Sequence, residues 1–161
     1  MEIEQKFLLK SLPEHLEKYS CKKIEQGYLC TDPVVRIRRS NDRYILTYKA
    51  PASLGNGEDI RVNQEVEVPL NERGYRHLRA KTDGQLICKD RYLIDLGDGH
   101  TGELDIFHGV LEGLRFIEVE FTSLEDANRF EPPVWFGENV SHDKRYSNSF
   151  LSKCNDLSAF E

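Results

Sequence analysis

Residue character alternates with a period of two along eight stretches of the chain, near positions 2–9, 23–30, 34–40, 43–50, 60–68, 86–96, 101–107 and 115–121. Successive side chains of a β-strand point to opposite faces, so this is a strand pattern. Turn-forming residues separate many of the stretches: Asn41-Asp42, Gly55-Asn56-Gly57 and Gly97-Asp98-Gly99. Helical signals are short. Asn71 caps a segment over 72–81, ended near Gly84, and Ser123 with Asp126 starts one over 124–130, stopped by Pro132-Pro133. Ser11 and Pro13 start a brief turn of helix reaching Tyr19, and another runs over 148–154. The expectation is a mostly-β (α+β) fold with short peripheral helices, a barrel or a sandwich. At 161 residues it reads as one domain, 1–161.

The charged residues follow the same period. One face of the first stretch carries Glu2, Glu4 and Lys6, and the third carries Arg36 and Arg38. The fourth offers Thr47 and Lys49; the fifth aligns Arg61, Asn63, Glu65 and Glu67. Lys89 and Arg91, Glu103 and Asp105, and Glu118 and Glu120 complete the series, the last pair opposite Ile117, Val119 and Phe121. A sandwich with these charges in solvent is one reading. However, like charges two residues apart on a strand sit only ~6.5–7 Å from each other, and solvated faces usually mix signs and small polar residues. Here carboxylates pair with carboxylates and cations with cations. Carboxylate pairs suit hard divalent ions, while Arg and Lys suit phosphoryl oxygens. Turned inward, the charged faces of an eight-stranded barrel would enclose a metal-bound polyphosphate, with the apolar faces outside under the helices.

The chain's net charge of −6 argues against nucleic acid or an anionic membrane as partner, and no apolar run approaches membrane-spanning length. Cys21, Cys30, Cys88 and Cys154 form no C-x-x-C pair, which points to free thiols in a reducing cytoplasm, with Cys30 and Cys88 expected as small buried side chains. The five histidines share no spacing. Tyr28 shares a face with Gln26 and Cys30, away from any evident core stripe.

Glu2-x-Glu4-x-Lys6 resembles the signature of the CYTH superfamily, also called triphosphate tunnel metalloenzymes. Gln26-Gly27-Tyr28-Leu29, Arg36-x-Arg38, Glu65-x-Glu67, Lys89-x-Arg91, Glu103-Leu104-Asp105 and Glu118-x-Glu120 follow in order. The tail Trp135-Phe136-Gly137-Glu138 and Asp143-Lys144-Arg145-Tyr146-x-Asn148 is similar to bacterial tripolyphosphatases of that family. The resemblance implies an eight-stranded antiparallel tunnel that hydrolyses inorganic triphosphate with Mg²⁺ or Mn²⁺, sometimes as a homodimer. It also implies that Asp105, Glu118 and Glu120 hold one ion and Glu2 and Glu4 a second. Lys6, Arg36, Arg38, Lys49, Arg91 and Arg145 would clamp the phosphates, and Lys89 with Tyr28 would form a catalytic dyad. Relatives often carry Arg where this chain has Asn63, and Arg61 on the same face is the substitute. A class IV adenylyl cyclase, a thiamine triphosphatase and a non-catalytic polyphosphate binder are the alternatives. The full carboxylate set argues against the last, because a pure anion binder has no use for acids.

Overall fold

The computed structural model describes all residues except 53, 54 and 56, so the Gly55-Asn56-Gly57 turn lies partly outside the described residues. Among the described residues nine strands form: β1 (Glu2–Leu9), β2 (Ser20–Thr31), β3 (Val34–Ser40), β4 (Arg43–Pro51), β5 (Arg61–Leu70), β6 (Asp83–Gly97), β7 (His100–Phe107), β8 (Arg115–Phe121) and β9 (Phe136–Asn139). Their order is β5-β4-β3-β2-β6-β7-β8-β1-β9, and β5 also pairs with β1, all antiparallel. Eight strands therefore close into a barrel, as the alternation predicts. The ninth was not legible: four residues, Phe136–Asn139, are too short to show a period, and they add to the outer end of β1.

Local chemistry sets the connections. Asn41 at φ 52° turns β3 into β4, and Asp98 at φ 53° between Gly97 and Gly99 turns β6 into β7. Helix α1 (Glu72–Arg79) begins where Asn71 accepts a hydrogen bond from the Gly74 amide; α2 (Leu124–Arg129) begins where Ser123 accepts from Asp126. The predicted segment after Pro13 shortens to a 3-10 turn at Leu16–Lys18, and α3 covers only Asn148–Leu151. Among the described residues no helix is long and apolar enough to cross a membrane.

Two apolar clusters pack on opposite sides of the barrel wall. Outside, Ile3, Phe7, Leu104, Ile117, Val119 and Phe121 lie under Ala127 of α2, Phe130 and Phe136. Inside, at one end, Tyr28, Ile87, Phe107 and Phe116 meet Val140, Tyr146 and Leu151 of the C-terminal segment. That segment is a plug. It is tied at its far side where the Gln85 amide donates to the Ser152 carbonyl at 2.6 Å. The cysteines are all free, but Cys88 is exposed and Cys30 only half-buried, because both sit where the alternation faces the solvent side or the plug's margin.

Candidate active site

Beyond the plug the barrel interior is a cavity of about 250 Å³ lined mostly by charged side chains. Glu2, Glu4 and Lys6 come from β1, Arg36 and Arg38 from β3, Lys49 from β4, and Arg61, Glu65 and Glu67 from β5. Arg91, Glu103, Glu118 and Glu120 come from β6, β7 and β8, with Tyr28 and Lys22 from β2. The charged faces point inward, so the solvated-sandwich reading fails. Strand order then separates the signs. In the ring of eight, β3 lies across from β8 and β2 across from β1. Arg36 and Arg38 consequently face Glu118 and Glu120 over the cavity.

On the acidic side, Glu4 pairs in register with Glu120, and Lys6 with Glu118. One oxygen each from Glu2, Glu4 and Glu120 lies within 4.8 Å of the others. Burial, then the adjacent Glu118 carboxylate, push Glu4 well above the usual carboxylate range. Burial also opposes ionisation of Glu118, yet Lys6, Arg91 and a hydrogen bond from Glu4 hold it well below that range. Burial and the Glu103, Glu2 and Glu65 charges raise Glu120 to about 7. Burial opposes ionisation of Glu2, but Lys49 and the Asn63 hydrogen bond hold it below the usual range. Three carboxylates this close are the oxygen donor set a hard divalent cation requires, so they fit one.

The basic side is strained in the opposite sense. Burial, together with the Arg36 and Arg91 charges, lowers Arg38 to about 9. Its Nε donates to Gln26 Oε1 at 2.8 Å. Arg36 donates to Thr47 at 3.1 Å, and Thr47 to Glu67 at 3.2 Å, but Arg36 Nε and Gln26 Nε2 are buried without partners. An unmet buried donor costs roughly 1–3 kcal/mol. Lys49 bridges Glu2 at 2.8 Å and Glu65 at 3.4 Å, and Asn63 donates to Glu2 at 3.1 Å. Arg61 lines the cavity, and among the described residues its side chain makes no hydrogen bond or ion pair.

Four expected residues stand differently from their sequence reading. Asp105, expected beside Glu118 and Glu120 as a metal ligand, is fully buried with both oxygens taken. Arg91 donates to them at 2.8 and 2.9 Å, and Lys89 to one at 2.7 Å. Register explains this, since Arg91 sits directly opposite Asp105 across β6–β7. Arg145, expected at the phosphates, is exposed and bound to Asp143 at 2.6 Å; the next residue, Tyr146, takes the inward position instead. Tyr28 and Lys89, expected as a dyad, share no hydrogen bond: Lys89 pairs in register with Ile24, four residues along β2 from Tyr28. Tyr28 lines the cavity, whereas Lys89 Nζ lies behind it and donates to Asp105 and, at 3.0 Å, to Asn148 Oδ1. Burial lowers Lys89 to about 7 against the pull of Asp105. Asn148, Gln26 and Thr47 were missed as site residues. Neutral side chains leave no mark in a charge pattern, although Gln26 and Thr47 do share faces with Tyr28 and Lys49.

Fold and site together define a closed antiparallel β-barrel whose interior sets clustered carboxylates against clustered cations. The chain belongs to the CYTH domain family, which matches residues 1–129. It is 38% identical over 154 residues to an inorganic triphosphatase of Nitrosomonas europaea, covering 94% of this chain and 96% of that one. It is 36% identical over 161 residues to an inorganic triphosphatase of Acetivibrio thermocellus, covering 94% and 93%. A solved inorganic triphosphatase structure superposes with a TM-score of 0.68 at 36% identity, over 96% of this chain and 95% of that chain.

Proposed function

We propose that this protein hydrolyses inorganic triphosphate to diphosphate and phosphate with Mg²⁺ or Mn²⁺. The observation that carries the reading is the polarised cavity: crowded carboxylates on β1 and β8 face crowded cations on β3. Each set repels itself, and a metal-bound phosphate chain relieves both. Triphosphatases at 38% and 36% identity support the same substrate. A volume of about 250 Å³ also falls below the ~300–1,000 Å³ of sites for drug-sized organic ligands.

Arg36 and Arg38 present guanidinium forks to phosphoryl oxygens, and Arg36 Nε is a donor such an oxygen can satisfy. Lys6, Lys49 and Arg91 supply further positive charge, with Lys6 held to the plug through the Tyr146 carbonyl at 2.6 Å. Glu2, Glu4 and Glu120 would hold the divalent ion, which when bound would neutralise phosphoryl charge. Water attacks the terminal phosphorus in line, the bridging P–O bond breaks, and diphosphate leaves with the electron pair. Tyr28 lines the cavity and, among the described residues, its Oη makes no hydrogen bond; as the phenolate it would take the water proton. Lys89, near neutrality, holds positive charge behind the site through Asp105 and Asn148. Four free cysteines support a reducing, cytoplasmic setting. Phosphate release from triphosphate with and without Mg²⁺ or Mn²⁺ tests the reading. Turnover should vanish in EDTA and return with the ion; undiminished turnover after chelation removes the metal assignment.

A further inference from the structure

Cations of the cavity wall that carry a partner are held in two ways. Lys6 pairs with Glu118 at 3.6 Å, Lys49 with Glu2 at 2.8 Å and Arg91 with Asp105 at 2.8 Å, so each meets a carboxylate. Arg36 and Arg38 meet none among the described residues. Their partners are neutral: Thr47 Oγ1 accepts from Arg36 Nη2 at 3.1 Å, and Gln26 Oε1 accepts from Arg38 Nε at 2.8 Å. Thr47 in turn donates to Glu67 at 3.2 Å, so a hydroxyl separates Arg36 from that carboxylate.

Gln26 stands directly opposite Arg38 across β2–β3 and is fully buried. A guanidinium only donates, so Arg38 fixes the amide with Oε1 toward it and Nε2 away. Nε2 is left buried without a partner. A glutamate here would have the same shape, would accept with both oxygens and would leave no donor unmet. The chain carries the less stabilising amide. What the amide does that a carboxylate cannot is hold the guanidinium without cancelling its charge.

We propose that Gln26 is a positioning residue for Arg38: its neutral oxygen anchors Nε, so that both terminal amino groups, with their charge uncompensated, are aimed at phosphoryl oxygens. The inference rests on the triphosphatase reading of the cavity and gives a role to a side chain that touches no reacting atom. Arg38 makes no other side-chain hydrogen bond among the described residues, so this contact sets the direction of its fork.

The test measures triphosphate hydrolysis with Mg²⁺ by the wild type, Gln26→Glu, Gln26→Met, Arg38→Lys and the double variant Q26M/R38K. In EDTA, Gln26→Glu should melt no lower than the wild type, because its carboxylate bonds Arg38 and no donor is left unmet. Its KM should nevertheless rise about ten- to hundredfold, with kcat within about threefold. Gln26→Met keeps the length of the side chain without the acceptor and should raise KM about three- to tenfold. In the Arg38→Lys background, which has no Nε to hold, the same change should raise KM by less than about twofold. Equal KM for Gln26→Glu and the wild type overturns the proposal, as does a Gln26→Met effect of the same size in both backgrounds. Failure of both Gln26 variants to fold also overturns it and gives Gln26 to the fold alone. A wild type that leaves triphosphate uncleaved removes the underlying reading instead. Calorimetric binding of triphosphate with Mg²⁺ then decides the role of Gln26: weaker binding by Gln26→Glu upholds it, and equal affinity, or no binding by either protein, overturns it.

Discussion

Single side chains in this cavity divide into those that hold the fold and those that wait for a ligand. Asp105 lies between Lys89 and Arg91, so Asp105→Ala strands two buried cations. Breaking a buried pair in this way costs ~3–5 kcal/mol, and chemical denaturation should show a loss of that size. Glu120 is exposed to the cavity, and Glu120→Gln should leave the chelated protein as stable or more so. Its pH dependence follows from sign. Glu120 has a folded pKa of about 7 against an ordinary 4.5, so the folded state binds more protons between those values. Stability contributed at this site is present below about 4.5 and falls as pH rises to about 7. The melting temperature of Glu120→Gln minus that of the wild type, both chelated, should therefore widen over that window and then level off. A gap that is flat with pH would show that Glu120 is unstrained. Tyr28→Phe keeps the ring in its apolar cluster and removes only Oη. It should lose on the order of 10²-fold in kcat with little change in KM; near-normal turnover would assign Tyr28 to packing alone.

Among elements, the C-terminal plug does the most with the least secondary structure. Its short helix α3 starts at the Ser147 cap, which accepts from the Phe150 amide, and delivers Asn148 to Lys89. The plug is seated against the beginning of β6. Gly84 has φ +69°, and a Cβ there would strike the Ser152 carbonyl oxygen. Gly84→Ala must therefore adopt a left-handed conformation that costs roughly 1–2 kcal/mol and also displace the plug. The expected outcome is a lowered melting temperature, with faster hydrogen exchange at the Gln85 amide than at β-barrel amides remote from it. Unchanged exchange at Gln85 would show that the plug is anchored elsewhere. The barrel strands and the capped helices α1 and α2 were legible because alternation and caps are local. The plug was not: Val140, Tyr146 and Leu151 carry no period, and their partners lie across the barrel.

At the scale of the molecule, the barrel encloses like charges whose repulsion opposes the fold until a ligand answers it. A metal ion and triphosphate that bind only the folded state stabilise it by mass action. At about 100-fold above the dissociation constant the gain is about 2.7 kcal/mol, which for a chain this size raises the melting temperature by about 5–10 °C. Scanning calorimetry with each ligand alone and with both checks this. The combined shift should exceed the sum of the separate ones, because each ligand neutralises the other's repulsive wall. A merely additive shift would place the two ligands at uncoupled sites.

The sequence by itself determined eight of the nine described strands, which charges share a face, and the identity of the acidic and basic groups. Each of these is written in a period of two or in a short ordered motif. Tertiary structure decided which charges meet. Asp105 became a partner of Arg91 rather than one of the metal-cluster acids because β6 and β7 are neighbours in that register. Glu2 and Glu4 joined Glu120 because barrel closure sets β1 beside β8. Arg145 turned to solvent because Tyr146 carries the apolar surface that the plug buries. Periodicity assigns a side chain to a face, but only the closing of the barrel gives it a neighbour.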